Sequence, residues 1–259
     1  MLSLKRQDDI LEILNKNKSA TVDELAAELF VSSATIRRDL AQMEKQGLLR
    51  RSHGGAILFK SSAEESAFAI REQENTAAKR AIANLAFSLL KNGDSVFMDS
   101  SSTVGFTIPL LNNLKYLSVT TIGLKNALLL SQTNNVKIYI AGGQIHNHSN
   151  SITGTDTMDY ISRIHADIAL ISCSGADLKA GFTDADIEQS KLKRQMRNNS
   201  DKVAMLCDSA KIGRTFMCTD FRFDEIDYFI TDKTPPDEYV KKIEESKCKL
   251  LCANLNKPI

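Results

Sequence analysis

A concentrated run of positive side chains lies near the start of this 259-residue chain. Six lysine and arginine residues stand against two acidic residues within residues 33–60, although the formal net charge of the whole chain is only +1. A local excess of positive charge on a nearly neutral protein favours contact with a polyanion at one surface. Arg37 and Arg38 suit this role, because a guanidinium group can pair bidentately with guanine or with a phosphate group.

A second group of polar side chains follows a short apolar run in the middle of the chain. Residues 96–98 are apolar and lead into the hydroxyl-rich segment 99–103, after which a helix is expected. Hydroxyl and backbone N–H groups at a strand-to-helix turn form an anion site, and the helix dipole adds to it. An ordinary serine-rich helix cap is the alternative for this segment taken alone. Lys191 and Lys211 could add positive charge to such a site.

Three helical patterns position the basic residues of the first segment. Apolar residues at helical spacing predict a first helix over residues 4–15, and Thr21 with Glu24 forms a capping box at the start of a second. The third helix is predicted over residues 34–46. Ser32 and Ser33, which precede this helix, are its alternative N-caps, and Gly47 suits its C-terminal stop.

The third helix has one apolar face and one polar face. At about 100° per residue, Ile36, Leu40 and Met43 fall together and can pack on the first two helices. The N-terminal residues of a recognition helix are the ones that meet base edges and phosphates in DNA. The residues predicted to face double-stranded DNA from this helix are Ser32, Ser33, Thr35, Arg37 and Arg38.

Two short extended runs around a Ser-His-Gly-Gly tip follow this helix, within residues 48–59. They predict a β-hairpin, which would place Arg51, His53 and Gly54 close to the sugar-phosphate backbone. Three helices followed by such a hairpin predict a winged helix-turn-helix domain over residues 1–60. The alternative is a generic three-helix domain whose charges are merely solvated.

The rest of the chain has a different pattern. Residues 61–75 are polar and predict a linker, and residues 76–259 predict a second domain that begins with a helix. Short apolar strands alternating with helices indicate a buried, mostly parallel sheet, and the chain is therefore expected to be an α/β protein. The predicted strands are residues 96–99, 117–122, 136–141, 168–173, 203–207, 228–231 and 249–252.

Cofactor and metal chemistry find little support in the sequence. The chain contains neither Gly-x-Gly-x-x-Gly nor Gly-x-x-x-x-Gly-Lys-Ser/Thr, so we expect no nucleotide cofactor. His146 and His148 have no third ligand near them in sequence, so we expect no metal site there. Cys173 and Cys207 lie in apolar strands and are expected to be inert core thiols, whereas redox sensing by Cys248 and Cys252 stays open.

The motifs of the first sixty residues carry a resemblance to a known family. The run Ser-x-x-Thr-Ile-Arg-Arg-Asp-Leu, followed by Gly-x-Leu-x-Arg-x-His-Gly-Gly-Ala at residues 47–56, resembles the DeoR/GlpR family of bacterial transcription regulators. The similarity extends over about residues 3–232 and includes the 99–103 segment, Glu188-x-x-Lys191 and Asp208-x-x-Lys211. Residues 120–123 depart from the family pattern, and Ser101 replaces a common glycine.

The resemblance implies a C-terminal sensor domain similar to ribose-5-phosphate isomerase. It implies a phosphorylated sugar as effector, and its candidate ligand-binding residues are Asp99, Ser101, Ser102, Thr103, Lys191 and Lys211. It also implies regulation of sugar metabolism or transport genes, most often by repression. Because paired half-sites need paired recognition helices, we expect a homo-oligomer, either a dimer or a tetramer.

Two other functions remain open at this stage. The chain could be a sugar-phosphate isomerase-type enzyme with a DNA-binding appendage, in which Asp177 or Glu188 serves as general base. It could also be a DNA-binding protein whose sensor domain has lost its ligand and only forms oligomers. The sequence shows no apolar run of the roughly 18 residues that a membrane helix needs and no disulfide framework, so we expect a cytoplasmic protein without a membrane partner.

Overall fold

A computed structural model describes residues 3–17, 19–45, 48–57 and 68–254. The chain divides into two compact units, Met1–Arg71 and Glu72–Ile259. Among the described residues, no helix is both long and apolar enough to cross a membrane.

The first unit combines helices with a small antiparallel sheet. The strands pair in the order β1-β3-β2, and the turn between β2 and β3 forms the predicted wing. The elements are α1 (Ser3–Asn17), β1 (Ser19–Thr21), α2 (Val22–Glu28), α3 (Ser33–Lys45), β2 (Arg50–Ser52), β3 (Gly55–Ile57) and α4 (Phe68–Gln73), the last of which crosses the boundary between the units.

The helices form where the sequence predicts them. Thr21 and Glu24 make the expected capping box at the start of α2, with Thr21 N–H 2.8 Å from the Glu24 carboxylate. Ile36, Leu40 and Met43 are buried together on the inner face of α3. The strand β1, which is only three residues long, was not predicted from the sequence. The predicted helix stop at Gly47 lies outside the described residues.

A buried ion pair joins the first and third helices. Arg6 Nε lies 2.5 Å from Asp39 Oδ2, and both side chains are almost fully buried. Since Asp39 directly follows Arg38, this pair holds α3 from its inner side while the arginine next to it points to solvent. The polar inner contact therefore fixes how α3 presents its outer face.

Part of the predicted linker is helical, which corrects the expectation for residues 61–75. Its residues Phe68–Gln73 form α4, because Phe68 and Ile70 bury their side chains. Ile70 joins the core of the first unit. Residues 61–67 lie outside the described residues, so the exact linker stays a prediction.

The second unit is built around one parallel sheet. Its first half contains α5 (Thr76–Phe87), β4 (Ser95–Met98), α6 (Ser102–Gly105), a 3-10 helix (Ile108–Asn113), β5 (Leu117–Thr121), α7 (Leu124–Leu130), β6 (Val136–Ile140), β7 (Gln144–His146) and β8 (Ser151–Thr153). Its second half contains α8 (Thr155–Ser162), β9 (Ala166–Ser172), β10 (Gly175–Asp177), β11 (Gly181–Asp184), α9 (Ile187–Asn198), β12 (Ser200–Leu206), 3-10 helices (Ser209–Lys211 and Phe223–Glu225), β13 (Cys218–Phe221), β14 (Tyr228–Thr231), α10 (Asp237–Glu244) and β15 (Lys249–Cys252).

The seven strands predicted from the sequence are the seven strands of this sheet, in the order β15-β14-β12-β9-β4-β5-β6. Successive residues of β4 show why the strands are apolar throughout: Val96 and Met98 enter the core on one face, and Phe97 enters the core on the other. Helices cover both faces of the sheet. Because the seven strands are parallel, their carboxyl ends all lie at the same end of the sheet, and the 99–103 segment begins there.

One residue of the first unit has a strained backbone in the turn that ends α2, where Val31 N–H donates to Ala26 O at 3.1 Å. Phe30, between α2 and α3, has φ of 55° and its side chain is 94% exposed. A left-handed conformation costs a residue with a Cβ atom roughly 1–2 kcal/mol, whereas glycine adopts it freely.

We therefore expect Phe30→Gly to raise the free energy of unfolding by roughly 0.5–1 kcal/mol, after the larger chain entropy of glycine is subtracted. Urea denaturation measures this change. Phe30→Val is the matched variant and should lower stability, because a β-branched side chain tolerates this conformation least. A destabilised glycine variant would contradict the assignment of strain.

Candidate DNA-binding surface and ligand site

The N-terminal end of α3 presents polar side chains to solvent. Ser32 caps the helix by accepting a hydrogen bond from Thr35 N–H at 3.2 Å, and the two hydroxyl oxygens lie 2.9 Å apart. Ser33 donates to Asp23 at 3.1 Å. Arg37 and Arg38 are exposed and no ion pair in the described part of the chain involves them. The structure thus brings the five predicted residues to one exposed end of the helix.

The wing, which is the turn between β2 and β3, carries the other three residues predicted to contact DNA. Arg51, His53 and Gly54 are all exposed, and Gly54 has a φ of 81° that the tight turn requires. The backbone N–H of Arg51 donates to Glu44 at 2.8 Å, which fastens β2 to α3. The recognition helix and the wing therefore belong to one connected scaffold, with the arginine and histidine side chains free of core packing.

In the second unit, Asp99 is the first residue of the segment that follows β4, and its hydrogen bonds hold the segment in place. Its carboxylate accepts hydrogen bonds from the backbone N–H groups of Ser101 and Ser172, both at 2.8 Å. Its side chain is completely buried. Asp99 therefore ties the 99–103 segment to the end of the neighbouring strand β9, and its oxygens are used for this structural purpose.

The serine and threonine side chains of the segment have separate roles. Ser101 caps α6 by accepting from Val104 N–H, and Ser100 donates to Gln189 at 3.1 Å. Ser102 and Thr103 are also buried, and the Thr103 hydroxyl has no hydrogen-bond partner among the described residues. A buried polar atom without a partner is costly, so this hydroxyl is suited to a bound polar group.

Asn126, a residue that the sequence analysis missed, holds the segment from the opposite side. Its amide nitrogen donates to the carbonyl oxygens of Asp99 at 2.8 Å and Ser101 at 3.3 Å. Its amide oxygen is buried and has no partner within the described residues. Gly123 allows this approach, since a Cβ atom there would lie 2.8 Å from the Ser100 Cα atom.

The side chain of Lys211, one of the candidate ligand contacts, reaches the carboxyl end of β9. Its ammonium group donates to Cys173 O at 2.7 Å and to Ser172 Oγ at 3.3 Å. Asp208 lies 3.7 Å from the same ammonium group and also accepts from Asn75 Nδ2 at 3.0 Å. Lys211 is thus connected through Ser172 to Asp99.

Lys191 does not occupy the position predicted for it. Its exposed ammonium group pairs with Glu188 on the surface of α9, at 2.7 Å. Lys193, which the sequence analysis missed, is buried and lies 3.7 Å from Asp99 Oδ2, and it donates to Ser172 O at 2.7 Å. Residues two apart on a helix point about 200° apart, so only one of the two lysines can face the sheet.

Lys193 forms its closest ion pair with Asp184. Burial alone would raise the pKa of Asp184, but the charge of Lys193 and hydrogen bonds from neighbouring groups outweigh it and lower this pKa to about 2. Asp220 lies in the same buried cluster, and neither of its oxygens has a hydrogen-bond partner among the described residues. Burial and the negative charge of Asp184 raise the pKa of Asp220 well above its usual range.

The remaining candidates take ordinary structural positions. His146 contacts Ser149 at 2.9 Å and lies 3.7 Å from Asp186. Among the described residues, no group of three His, Cys, Asp or Glu side chains could hold a metal ion. Cys173 and Cys207 are buried, and burial raises the pKa of the Cys173 thiol well above its usual value.

These units define a two-domain protein of the winged helix-turn-helix class. Residues 6–62 match the family described as the DeoR-like helix-turn-helix domain, and residues 74–233 match the DeoR C terminal sensor domain. The chain belongs to the DeoR family of transcriptional regulators.

The chain is similar to transcriptional regulators over nearly the whole length of both chains. The HTH-type transcriptional regulator GolR of Listeria innocua is 33% identical, over 95% of this chain and 97% of the relative. The glycerol-3-phosphate regulon repressor of Escherichia coli is 29% identical, over 97% and 100%. Among solved structures, ribose 5-phosphate isomerase A of Methanocaldococcus jannaschii matches with a TM-score of 0.38 and 16% identity, over 52% of this chain and 53% of that chain.

The buried acidic cluster generates a pH-dependence prediction. A carboxyl group whose pKa is raised by folding stabilises the protein below its unfolded pKa of about 3.9, and this contribution is lost as the pH rises through the raised value. We therefore expect Asp220→Asn, which cannot ionise, to gain stability relative to the parent protein between pH 5 and pH 8, by at least about 1 kcal/mol.

Chemical denaturation of both proteins at the two pH values measures the difference. Asp224→Asn is the matched control, because Asp224 is exposed. An Asp220→Asn difference that stays constant with pH would show that Asp220 is ionised at both values.

Proposed function

We propose that this protein is a DNA-binding repressor of genes for sugar metabolism or transport, controlled by a phosphorylated sugar bound at residues 99–103. The observation that carries the ligand assignment is the pair of partnerless buried polar atoms at this segment, Thr103 Oγ1 and Asn126 Oδ1. Two lysine ammonium groups, of Lys193 and Lys211, lie within the same hydrogen-bonded network.

The chemistry of the segment suits a sugar phosphate with its two kinds of polar group. The hydroxyl groups of Ser102 and Thr103 and the ammonium group of Lys211 are the proposed phosphate contacts, since a phosphate needs donors and positive charge. Asn126 Oδ1 is the proposed acceptor for a sugar hydroxyl. Asp99 positions the segment instead of touching the ligand, because both of its oxygens already accept backbone N–H groups.

The enzyme hypothesis is less well supported by the positions of its candidate bases. Asp177 Oδ1 accepts hydrogen bonds from the backbone N–H groups of Lys179 and Ala180, at 2.9 Å each, and so stabilises the turn that follows β10. Glu188 is exposed and paired with Lys191. A base for sugar-phosphate chemistry would have to lie within hydrogen-bond reach of a ligand at 99–103. Sequence relatives whose names describe regulation favour the same conclusion.

We propose that the protein reads DNA as a symmetric homo-oligomer. Operators of helix-turn-helix proteins are commonly paired half-sites, which two symmetry-related recognition helices occupy together. An effector that prefers one arrangement of the subunits would change the affinity for DNA, and DNA would change the affinity for the effector by the same factor.

The first test of this proposal concerns the recognition helix. Arg37→Ala and Arg38→Ala should each weaken binding to the operator by about 1–3 kcal/mol while leaving thermal stability unchanged, because both side chains are exposed. A variant that loses a base contact should relax specificity at one position. A variant that loses a phosphate contact should weaken binding to all sequences and reduce the slope of affinity against salt.

Binding isotherms over a series of salt concentrations distinguish these two outcomes. Arg163→Ala, in the second unit, is the control and should leave DNA binding unchanged. Unaltered affinity in both helix variants would exclude α3 as the element that reads DNA.

The second test concerns the ligand segment. Phosphorylated sugars should stabilise the protein against heat, by about 2.7 kcal/mol at a concentration of 100 Kd, and their unphosphorylated counterparts should not. Ser102→Glu should abolish this response, because its carboxylate would repel a phosphate group. DNA binding without sequence preference should be retained in this variant.

Ser102→Ala is the matched control, because it removes the hydroxyl without adding charge and should retain a weakened response. Circular dichroism of both variants checks that the second unit is folded. Equal stabilisation by unphosphorylated sugars, or a full response of a folded Ser102→Glu variant, would overturn the phosphate assignment.

A further inference from the structure

One edge of the seven-stranded sheet is formed by β6, which pairs only with β5 within the described residues. The N–H group of Ala141 donates to Thr121 O, so the odd-numbered residues in this part of the chain direct their backbone groups towards β5. In a regular ladder the alternate residues direct theirs to the other side. The backbone groups of Val136, Ile138 and Ile140 therefore face outward.

The side chains of this edge are unusually apolar for an exposed strand. Tyr139 is 45% exposed and Ile140 is 44% exposed, and Lys137 is the only charged residue of the strand. Edge strands that stay unpaired are normally short, bulged or rich in charge and proline, which prevents them from pairing with another chain. This strand has five residues in regular register, no proline and a single charge, that of Lys137, so it has little of this protection.

The strand is self-complementary about a twofold axis at Ile138. Antiparallel pairing in this register places the outward backbone groups of Ile138 opposite their own symmetry mates, and those of Val136 opposite Ile140 of the second copy. Lys137 then lies opposite Tyr139 in a pair without hydrogen bonds, where side chains are closest. Like charges do not meet in this register.

We propose that β6 pairs antiparallel with β6 of a second copy of this chain, forming one continuous sheet across a twofold axis. This inference rests on the proposed function, because a protein that reads paired half-sites needs a second copy related by such an axis. A strand is the occupant that satisfies the outward backbone groups, and an identical strand provides both the symmetry and the register.

The proposed interface is one strand away from the ligand segment. The end of β6 bonds to Thr121 through Ala141, and Thr121 in turn accepts from Gly123 N–H at 3.0 Å. Gly123 lies against the backbone of Ser100. A ligand that moves the 99–103 segment would thus act on the strand next to the subunit interface.

Charge substitutions at one position test both the interface and its register. Tyr139→Lys places a lysine opposite Lys137 of the partner and should raise the dissociation constant of the dimer by about 100-fold or more. Tyr139→Glu, opposite the same lysine, should leave it within about threefold of the parent value. The double variant Lys137→Glu/Tyr139→Lys restores opposite charges and should recover association.

Sedimentation equilibrium of the full-length protein, without DNA or ligand, measures these constants. Met217→Lys is the control, because Met217 is 61% exposed on a different part of the second unit and should not affect association. Thermal unfolding of each variant confirms that the monomer is folded.

A monomeric parent protein would overturn the proposal, and so would equal effects of Tyr139→Lys and Tyr139→Glu or a Tyr139→Lys variant that associates normally. Failure of the proposed function would give a different result, because the parent protein itself would then not bind operator DNA. A Tyr139→Lys monomer that still binds a single half-site, with affinity reduced for the paired site, supports both.

Discussion

The buried pairing of Lys193 with Asp184, beside Asp99, is the constraint on which the second unit depends. All three side chains are almost completely excluded from water. A buried charge without a partner is strongly destabilising, so α9, β11 and the end of β4 must come together in a single arrangement. Asp99 extends this constraint to the 99–103 segment, because its carboxylate also accepts from Ser101 and Ser172.

This arrangement leaves buried polar atoms without described partners at the carboxyl ends of the parallel strands, where the ligand site is proposed. The segment is held from one side by Asp99 and from the other by Asn126, while Thr103 and Asn126 each retain a buried polar atom without a described partner. A ligand site needs a rigid support and polar atoms that still lack hydrogen-bond partners. A ligand can then supply the missing hydrogen bonds without reorganising the protein.

The first unit uses the same principle for a different purpose. The buried pair of Arg6 and Asp39 fixes α3 from within, and the apolar contacts of Ile36, Leu40 and Met43 complete its inner face. The outer face is then free to carry arginine and hydroxyl groups, which remain hydrated when no DNA is bound. Both units therefore place a buried charge directly behind the surface that is proposed to bind.

Local patterns in the sequence determined the winged helix-turn-helix elements and all seven strands of the parallel sheet, because capping boxes, helical spacing and apolar strands are properties of neighbouring residues. They also placed Asp99 and Lys211 at strand ends. The choice between Lys191 and Lys193 was different. Lys193 shares a helical face with Gln189, Leu192 and Met196, and this spacing was a signal that could have identified it. The roles of Asn126, Asp184 and Asp220 were decided only by tertiary structure, because their contacts join segments far apart in the chain, and the cost of burying a charge is set by whatever the fold places beside it.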